Sequence, residues 1–326
     1  MKIALTYDLK EQYLKEGYSV AEVAEFDSVQ TIEALETALE ELGFEPVRIG
    51  SIFDLVESLA AGQRWPLVFN IAEGLHGLCR EAQVPALLDA YRIPYVFSDA
   101  LTLTITLHKA LAKEVVRKCG VVTADWCVVA KEEDLKAVDL PYPLFIKPLG
   151  GGTGMGIDDS SRIENATQLQ EKVRSLLQQY KQPVLVETYL GGREFTVGII
   201  GNGQSAQSIG VMEIHVAQSG IYSYQNKQDY VQKVRYSTPE PPIVLACSQV
   251  ALAAWQALGC QDAGRVDVKM DEKGNVHFLE VNPLAGLHPI DSDLPILCRQ
   301  NGISYTSLIA LIMESALRRL GLQNET

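Results

Sequence analysis

The chain lacks an excess of positive charge. Its 326 residues carry 28 Lys and Arg against 41 Asp and Glu, a net charge of −13. That balance argues against nucleic acid or an anionic membrane surface as the main partner. Cysteine is sparse: Cys79, Cys119, Cys127, Cys247, Cys260 and Cys298 are scattered and form no C-x-x-C pair. They read as reduced thiols in a cytoplasmic protein. No apolar run approaches the ~18 residues of a membrane span, and Asp8 comes too early for a signal peptide. The dinucleotide fingerprint G-x-G-x-x-G and the P-loop G-x-x-x-x-G-K-[ST] fit in no register. No internal repeat or low-complexity segment appears.

The strongest positive signal is Gly264 to Asn282, GRVDVKMDEKGNVHFLEVN. It predicts a β-hairpin with a polar turn at Asp271-Glu272-Lys273-Gly274-Asn275. Side chains alternate along a strand, so Arg265 and Asp267 share one face, as do Glu280 and Asn282 on the return. Where those faces coincide, one surface offers an arginine, two carboxylates and a carboxamide oxygen. Such hard oxygens suit Mg²⁺, which keeps waters and is completed by substrate phosphates. A solvated hairpin face with a salt bridge would explain any one of these residues. The two-residue spacing of all four, followed by Pro283 and a loop, favours a metal site. An acidic protein binding a polyphosphate should then show isolated cations among glycines, and it does.

The chain opens as strand, helix, strand, helix, strand over residues 2–70, with helices at 26–43 and 52–61. This is an α/β (α+β) pattern whose first lobe holds a parallel sheet, with ligands expected at its carboxyl strand ends. One such end continues through Glu73, Gly74, His76, Gly77, Arg80 and Glu81. It is either a ligand loop or a capped lead-in to the helix 82–90. A strand is expected at 91–96, and the first segment ends near residue 98. A single helix is expected over 101–119, most of its lysines and arginines being surface charges.

The strand Leu144–Lys147 runs into Gly150-Gly151-Gly152-Thr153-Gly154-Met155-Gly156. Glycine backbone N–H groups can close over phosphate oxygens, with Thr153 as a hydroxyl donor and Lys147 as a point charge. A helix is expected at 163–180. Beyond it, Glu187-Thr188-Tyr189-Leu190 followed by Glu194 can read a base through its peptide groups and a sugar through a carboxylate, or be an ordinary strand–turn–strand. Residues 219–242 are polar and aromatic without periodicity, which suggests a binding loop or lid, with Lys227 and Arg235 as its cations. After Asn282, a loop with Gly286 and Ser292 can hold a substrate carboxylate. A helix over 304–320 closes the chain.

These residues, taken together, resemble the ATP-grasp superfamily and, within it, the D-alanine–D-alanine ligase family. The motifs are LHK at 107–109, FIKPLGGGTGMG at 145–156, VLVETYLGGREFTV at 184–197, YSYQNK at 222–227, GRVDV at 264–268 and LEVNPLAGL at 279–287. The resemblance implies an ATP-grasp fold behind a parallel-sheet lobe, divided at 1–98, 99–183 and 184–326. It implies an ATP-dependent carboxylate–amine ligase that works through an acyl phosphate and releases ADP and phosphate. Lys109 and Lys147 would contact ATP phosphates beneath the loop of Gly152 and Thr153. Glu187, Thr188, Tyr189 and Leu190 would meet the adenine, Glu194 the ribose, and Lys227 the transferred phosphate. Arg265 would stabilise the tetrahedral intermediate, while Asp267, Glu280 and Asn282 hold two Mg²⁺, Mn²⁺ being an alternative. Amino acids are the implied substrates, in a homodimer.

The family pattern fails at the first-substrate segments. The glycine-rich first loop is replaced by Thr6-Tyr7-Asp8-Leu9-Lys10, with Glu22, Glu25 and Asp27 as substitutes, and the His-Gly-x-x-Gly-Glu-Asp-Gly segment by Asn70 to Gly77. Intact ATP chemistry with altered first-substrate choice follows. One rival is a ligase making a different amide in secondary metabolism. Another is an ATP-binding sensor without turnover, which the presence of Arg265, Asp267, Glu280 and Asn282 disfavours.

Overall fold

The structure, a computed structural model, describes residues 1–152, 154–216 and 234–322. Thr153 and Lys227 therefore lie outside the described residues. Three sheets organise the rest. In the first, β1 (Lys2–Thr6) lies between β2 (Glu45–Gly50) and β3 (Leu67–Asn70), all parallel. The crossovers are the helices Val29–Glu41 and Ile52–Ala60, begun by Ser28 and Ser51. Ser28 accepts from the Thr31 N–H, and Asp54 reaches back to the Ser51 N–H at 2.7 Å; such caps satisfy donors that the first turn leaves open. A short helix, Lys10–Lys15, precedes them, which sequence periodicity did not signal. The expected strand at 91–96 does not form. The helix Gln83–Tyr91 runs to its left-handed cap at Arg92, and only Tyr95 bridges Val68.

The second sheet has the order β4-β7-β5-β6. It comprises β4 (Trp126–Val129), β5 (Leu144–Pro148), β6 (Arg162–Ile163) and β7 (Val184–Thr188), with the helix Ala166–Tyr180 packed on it. That helix starts later than expected because Arg162–Ile163 pairs with β5 and Asn165 caps the first turn. β7 pairs with both β4 and β5, so the expected boundary at 183 falls inside this sheet.

The third sheet is antiparallel with order β10-β9-β8-β11-β12. Its strands are β8 (Glu194–Ile200), β9 (Gln207–Val216), β10 (Val234–Ser237), β11 (Ala263–Met270) and β12 (Val276–Asn282). β10 lies within the stretch expected to be one loop. The helix Pro241–Leu258 covers this sheet, with Cys247, Ala251, Ala254 and Trp255 fully enclosed against Phe195, Val197 and Val266. By length and composition alone this 18-residue helix could cross a membrane, which corrects the expectation that no apolar run reaches that size. Its buried stripe is core of the sheet instead.

Two further corrections concern helices. The expected 101–119 helix is two, Ala100–Leu107 and Lys109–Lys118, split at His108, whose extended backbone ends one while its Nδ1 accepts from Leu111 N–H at 3.2 Å to begin the other. The loop after Asn282 gives way to a helix, Asp293–Gln300. The last helix, Tyr305–Leu320, packs on Val29–Glu41, so the chain's two ends share one core of Leu35, Leu39, Ile309 and Ile312. All six cysteines are free.

Candidate active site

The hairpin places its polar residues as the alternation requires. Arg265 lies opposite Asn282 and Asp267 opposite Glu280 across the β11–β12 ladder, and directly paired residues of an antiparallel ladder share a face. Arg265 Nη1 is 2.9 Å from Asp267 Oδ2 and 3.1 Å from Asp293 Oδ2. Asn282 Nδ2 donates to the same Asp267 oxygen at 3.3 Å, and Thr196 Oγ1 donates to the other at 2.7 Å. Glu280 lies 3.5 Å from the Lys109 ammonium. No third His, Cys, Asp or Glu side chain completes a metal cluster among the described residues. Two carboxylates and a carboxamide fit a hard cation that takes its remaining ligands from water and phosphate.

Between the second and third sheets lies a cleft walled by Lys109, Lys147, Glu187–Leu190, Glu194, Asp267 and Glu280. Glu187 sits at its back with one lysine on each oxygen: Lys147 Nζ is 2.9 Å from Oε1 and Lys113 Nζ is 2.9 Å from Oε2. Burial alone would raise the Glu187 carboxyl, but the two ammonium groups outweigh it and bring the pKa down to about 2. Burial works against the Lys147 charge as well, and Glu187 and Glu280 more than offset it, holding its pKa above the ordinary lysine range. Lys113, with no exposed surface, is pushed below that range by burial despite Glu187.

In the Glu187–Leu190 segment, the Thr188 N–H donates to Asp125 and the Tyr189 N–H to Pro143. The Leu190 N–H has no partner among the described residues, so it is the segment's available peptide donor at the cleft wall. Glu194 and Lys269 are opposite one another on β8 and β11 and pair at 2.8 Å.

A second chamber, about 400 Å³, adjoins this cleft through Lys109, Gly151 and Glu280. Lys109 is placed there by the break at His108: its N–H bonds Leu149 O, and its ammonium donates to Gly151 O. Glu73, Gly152, Arg265, Asn282, Gly286 and Ser292 line the chamber, together with Glu25 and Asp27. Glu25 accepts from the Gly152 N–H, tying the first segment to the glycine-rich loop. Glu22 does not reach the chamber; it bonds the exposed Ser19. Arg80 also stays off its wall, facing an adjoining cavity while pairing with Glu25 at 2.7 Å.

Sequence reasoning missed three charged residues of this region. Lys113 falls among the surface charges expected on the 101–119 helix, although it follows Lys109 by four and so shares its helix face. Lys269 continues the alternation of Arg265 and Asp267, and that alternation is the signal that could have found it. Asp293 follows the expected loop of Gly286 and Ser292, and nothing in its spacing announces that it meets Arg265.

Comparison with known proteins agrees with this geometry. Residues 115–314 match the family model described as D-ala D-ala ligase C-terminus. The chain is 30% identical over 295 residues to a D-alanine–D-alanine ligase from Methylocella silvestris, covering 89% of this chain and 93% of that one. It is 27% identical over 288 residues to a D-alanine–D-alanine ligase from Aquifex aeolicus, covering 88% and 94%. In fold it is similar to the crystal structure of D-alanine–D-alanine ligase from Bacillus anthracis complexed with ATP, at TM-score 0.76, 23% identity and 99% coverage of both chains. The matched model spans more than half of this chain, and the protein therefore belongs to the D-alanine–D-alanine ligase family of ATP-dependent ligases with the ATP-grasp fold.

Proposed function

We propose that the protein binds ATP in the cleft between the second and third sheets and joins a carboxylate to an amine held in the adjoining chamber. The observation that carries this reading is the shared wall. Lys109, Gly151 and Glu280 border both spaces, so a γ-phosphate at that end would face a carboxylate across it. The substrate carboxylate oxygen forms a bond to the γ-phosphorus while the bond to ADP breaks. The amine then bonds the acyl carbon, phosphate leaves, and the amine proton passes to solvent or a nearby base.

Phosphoryl transfer of this kind asks for positioning and charge neutralisation. Lys109 and Lys147 supply positive charge at the phosphates. Leu190 N–H and its neighbours meet the base, with Glu194 on the sugar. Arg265 neutralises the oxyanion of the second step. Asp267, Glu280 and Asn282 would hold Mg²⁺, two ions in this reading with Mn²⁺ able to substitute; bound there, the metal would supply positive charge for the transferring phosphate. Thr153 and Lys227 complete the phosphate contacts. The pairing of β7 with β4 and β5 supports a division after residue 188 in place of 183. The six free thiols support a reducing, cytoplasmic setting.

Release of ADP from ATP and Mg²⁺, measured with amino acids supplied singly and in pairs, tests the reading. Amino-acid-dependent ADP release with formation of an amide is expected. ATP bound but never consumed across the panel would favour the sensor alternative.

A further inference from the structure

Among the described residues three lysines line the cleft between the second and third sheets, and the reading above uses two of them, Lys109 and Lys147. The third is Lys269. It follows Asp267 by two along β11, and across the ladder to β8 Asp267 faces Thr196 while Lys269 faces Glu194. Both pairs are bonded side chain to side chain, at 2.7 Å and 2.8 Å. Residues two apart on a strand share a face and stand about 7 Å from each other. The Lys269–Glu194 pair therefore lies one step along the cleft wall from the carboxylate proposed for metal.

The pair is nearly enclosed, the Lys269 side chain keeping 12% of its surface exposed and that of Glu194 18%. An ammonium carries three N–H donors. Glu194 Oε2 takes one, and among the described residues no other acceptor bonds this ammonium. The Tyr189 ring, its centroid 5.8 Å away, offers only a π face. Glu194 is held by Oε2 alone, and its Oε1 accepts no hydrogen bond from a described residue. Polar groups this enclosed are costly to leave unmatched, so donors and acceptor are available to whatever fills the cleft.

We propose, on the reading that this cleft takes ATP, that Lys269 is a nucleotide-binding residue which fixes Glu194 and donates to the sugar, the two side chains together reading the ribose diol. A hydroxyl is donor and acceptor at once. Glu194 Oε1 accepts from one hydroxyl while Lys269 donates to an oxygen of the diol, so a ribonucleotide satisfies both members of the pair. A site built to bond a hydroxyl rejects the analogue that lacks it, because its own polar groups are left unpaired.

The test is calorimetric binding of ATP, 2′-deoxy-ATP and 3′-deoxy-ATP to the full-length protein with Mg²⁺ and no amino acid. ATP is expected to bind about tenfold tighter than at least one deoxy form. Lys269→Met, and Lys269→Leu as a second variant, should each weaken ATP about tenfold and bring the three nucleotides within about threefold of one another. A lysine that merely supports the strand would weaken all three alike. A preference that survives both substitutions, or equal binding of the three nucleotides by the unsubstituted protein, overturns the inference and leaves the ligase reading standing. Failure of ATP itself to bind overturns the ligase reading and this inference with it.

Discussion

Lys147 and Glu187 form a buried ion pair at 2.9 Å, and Lys113 occupies the other carboxylate oxygen at the same distance. One carboxylate thus serves two ammonium groups, and its hold on Lys147 keeps that cation at the cleft wall. The consequence is asymmetric. Glu187→Gln leaves two buried cations without their partner and should cost roughly 3–5 kcal/mol, whereas Lys113→Met leaves an intact Lys147–Glu187 pair and should cost less. Urea denaturation of the two variants measures the order.

The same pair predicts acid behaviour. Glu187 has its folded pKa depressed from 4.5 to about 2. Its contribution is fully present above the unfolded value and is lost as pH falls toward the folded one. Stability should therefore decline between about pH 4.5 and about pH 2, and Glu187→Gln should shallow that decline. Thermal unfolding across the acid range reads it.

Asp27 works in the opposite sense. Burial raises it from 3.8 to about 7, so the folded state holds a proton that the unfolded state has released. Stability should fall as pH rises from about 4 to about 7, then level. Asp27→Asn, which cannot ionise, should flatten that slope in the same unfolding series.

Gly264 is set by close approach of the backbone. A Cβ there would lie 2.6 Å from the Asn282 carbonyl oxygen and 2.8 Å from the Trp255 ring. Gly264→Ala should cost about 1–3 kcal/mol by forcing apart a packed strand and helix. It should also disturb Asn282 and so raise the Mg²⁺ concentration needed for ADP release. An unchanged urea midpoint contradicts the packing argument.

Asp267→Asn and Glu280→Gln remove the two carboxylates proposed for metal. Each should lower ADP formation by about 100-fold or more, with a higher half-saturating Mg²⁺ concentration. Magnesium titration of turnover distinguishes this from simple unfolding.

The hairpin was legible because strand alternation needs no tertiary information: Arg265, Asp267, Glu280 and Asn282 met where period two put them. The parallel first sheet was legible for a similar reason, its strands being short apolar runs between amphipathic helices. What failed depended on contacts distant in the chain. His108 breaks a helix whose apolar pattern continues through it, because the following turn docks on Leu149 and Gly150. The 91–96 segment has strand composition, yet only Tyr95 finds Val68. Lys113 reads as surface until Glu187, far along the chain, arrives beside it. The chamber's first wall was legible only as a departure from a family pattern, since which of Glu22, Glu25 and Asp27 turn inward is decided by packing.

The most direct measurement follows oxygen. A substrate whose carboxylate carries ¹⁸O is turned over with ATP and Mg²⁺, and the released nucleotide and phosphate are analysed by mass spectrometry. Attack of that carboxylate on the γ-phosphate predicts ADP as the nucleotide product and one ¹⁸O in the released phosphate. AMP in place of ADP, or phosphate without label, would contradict the account.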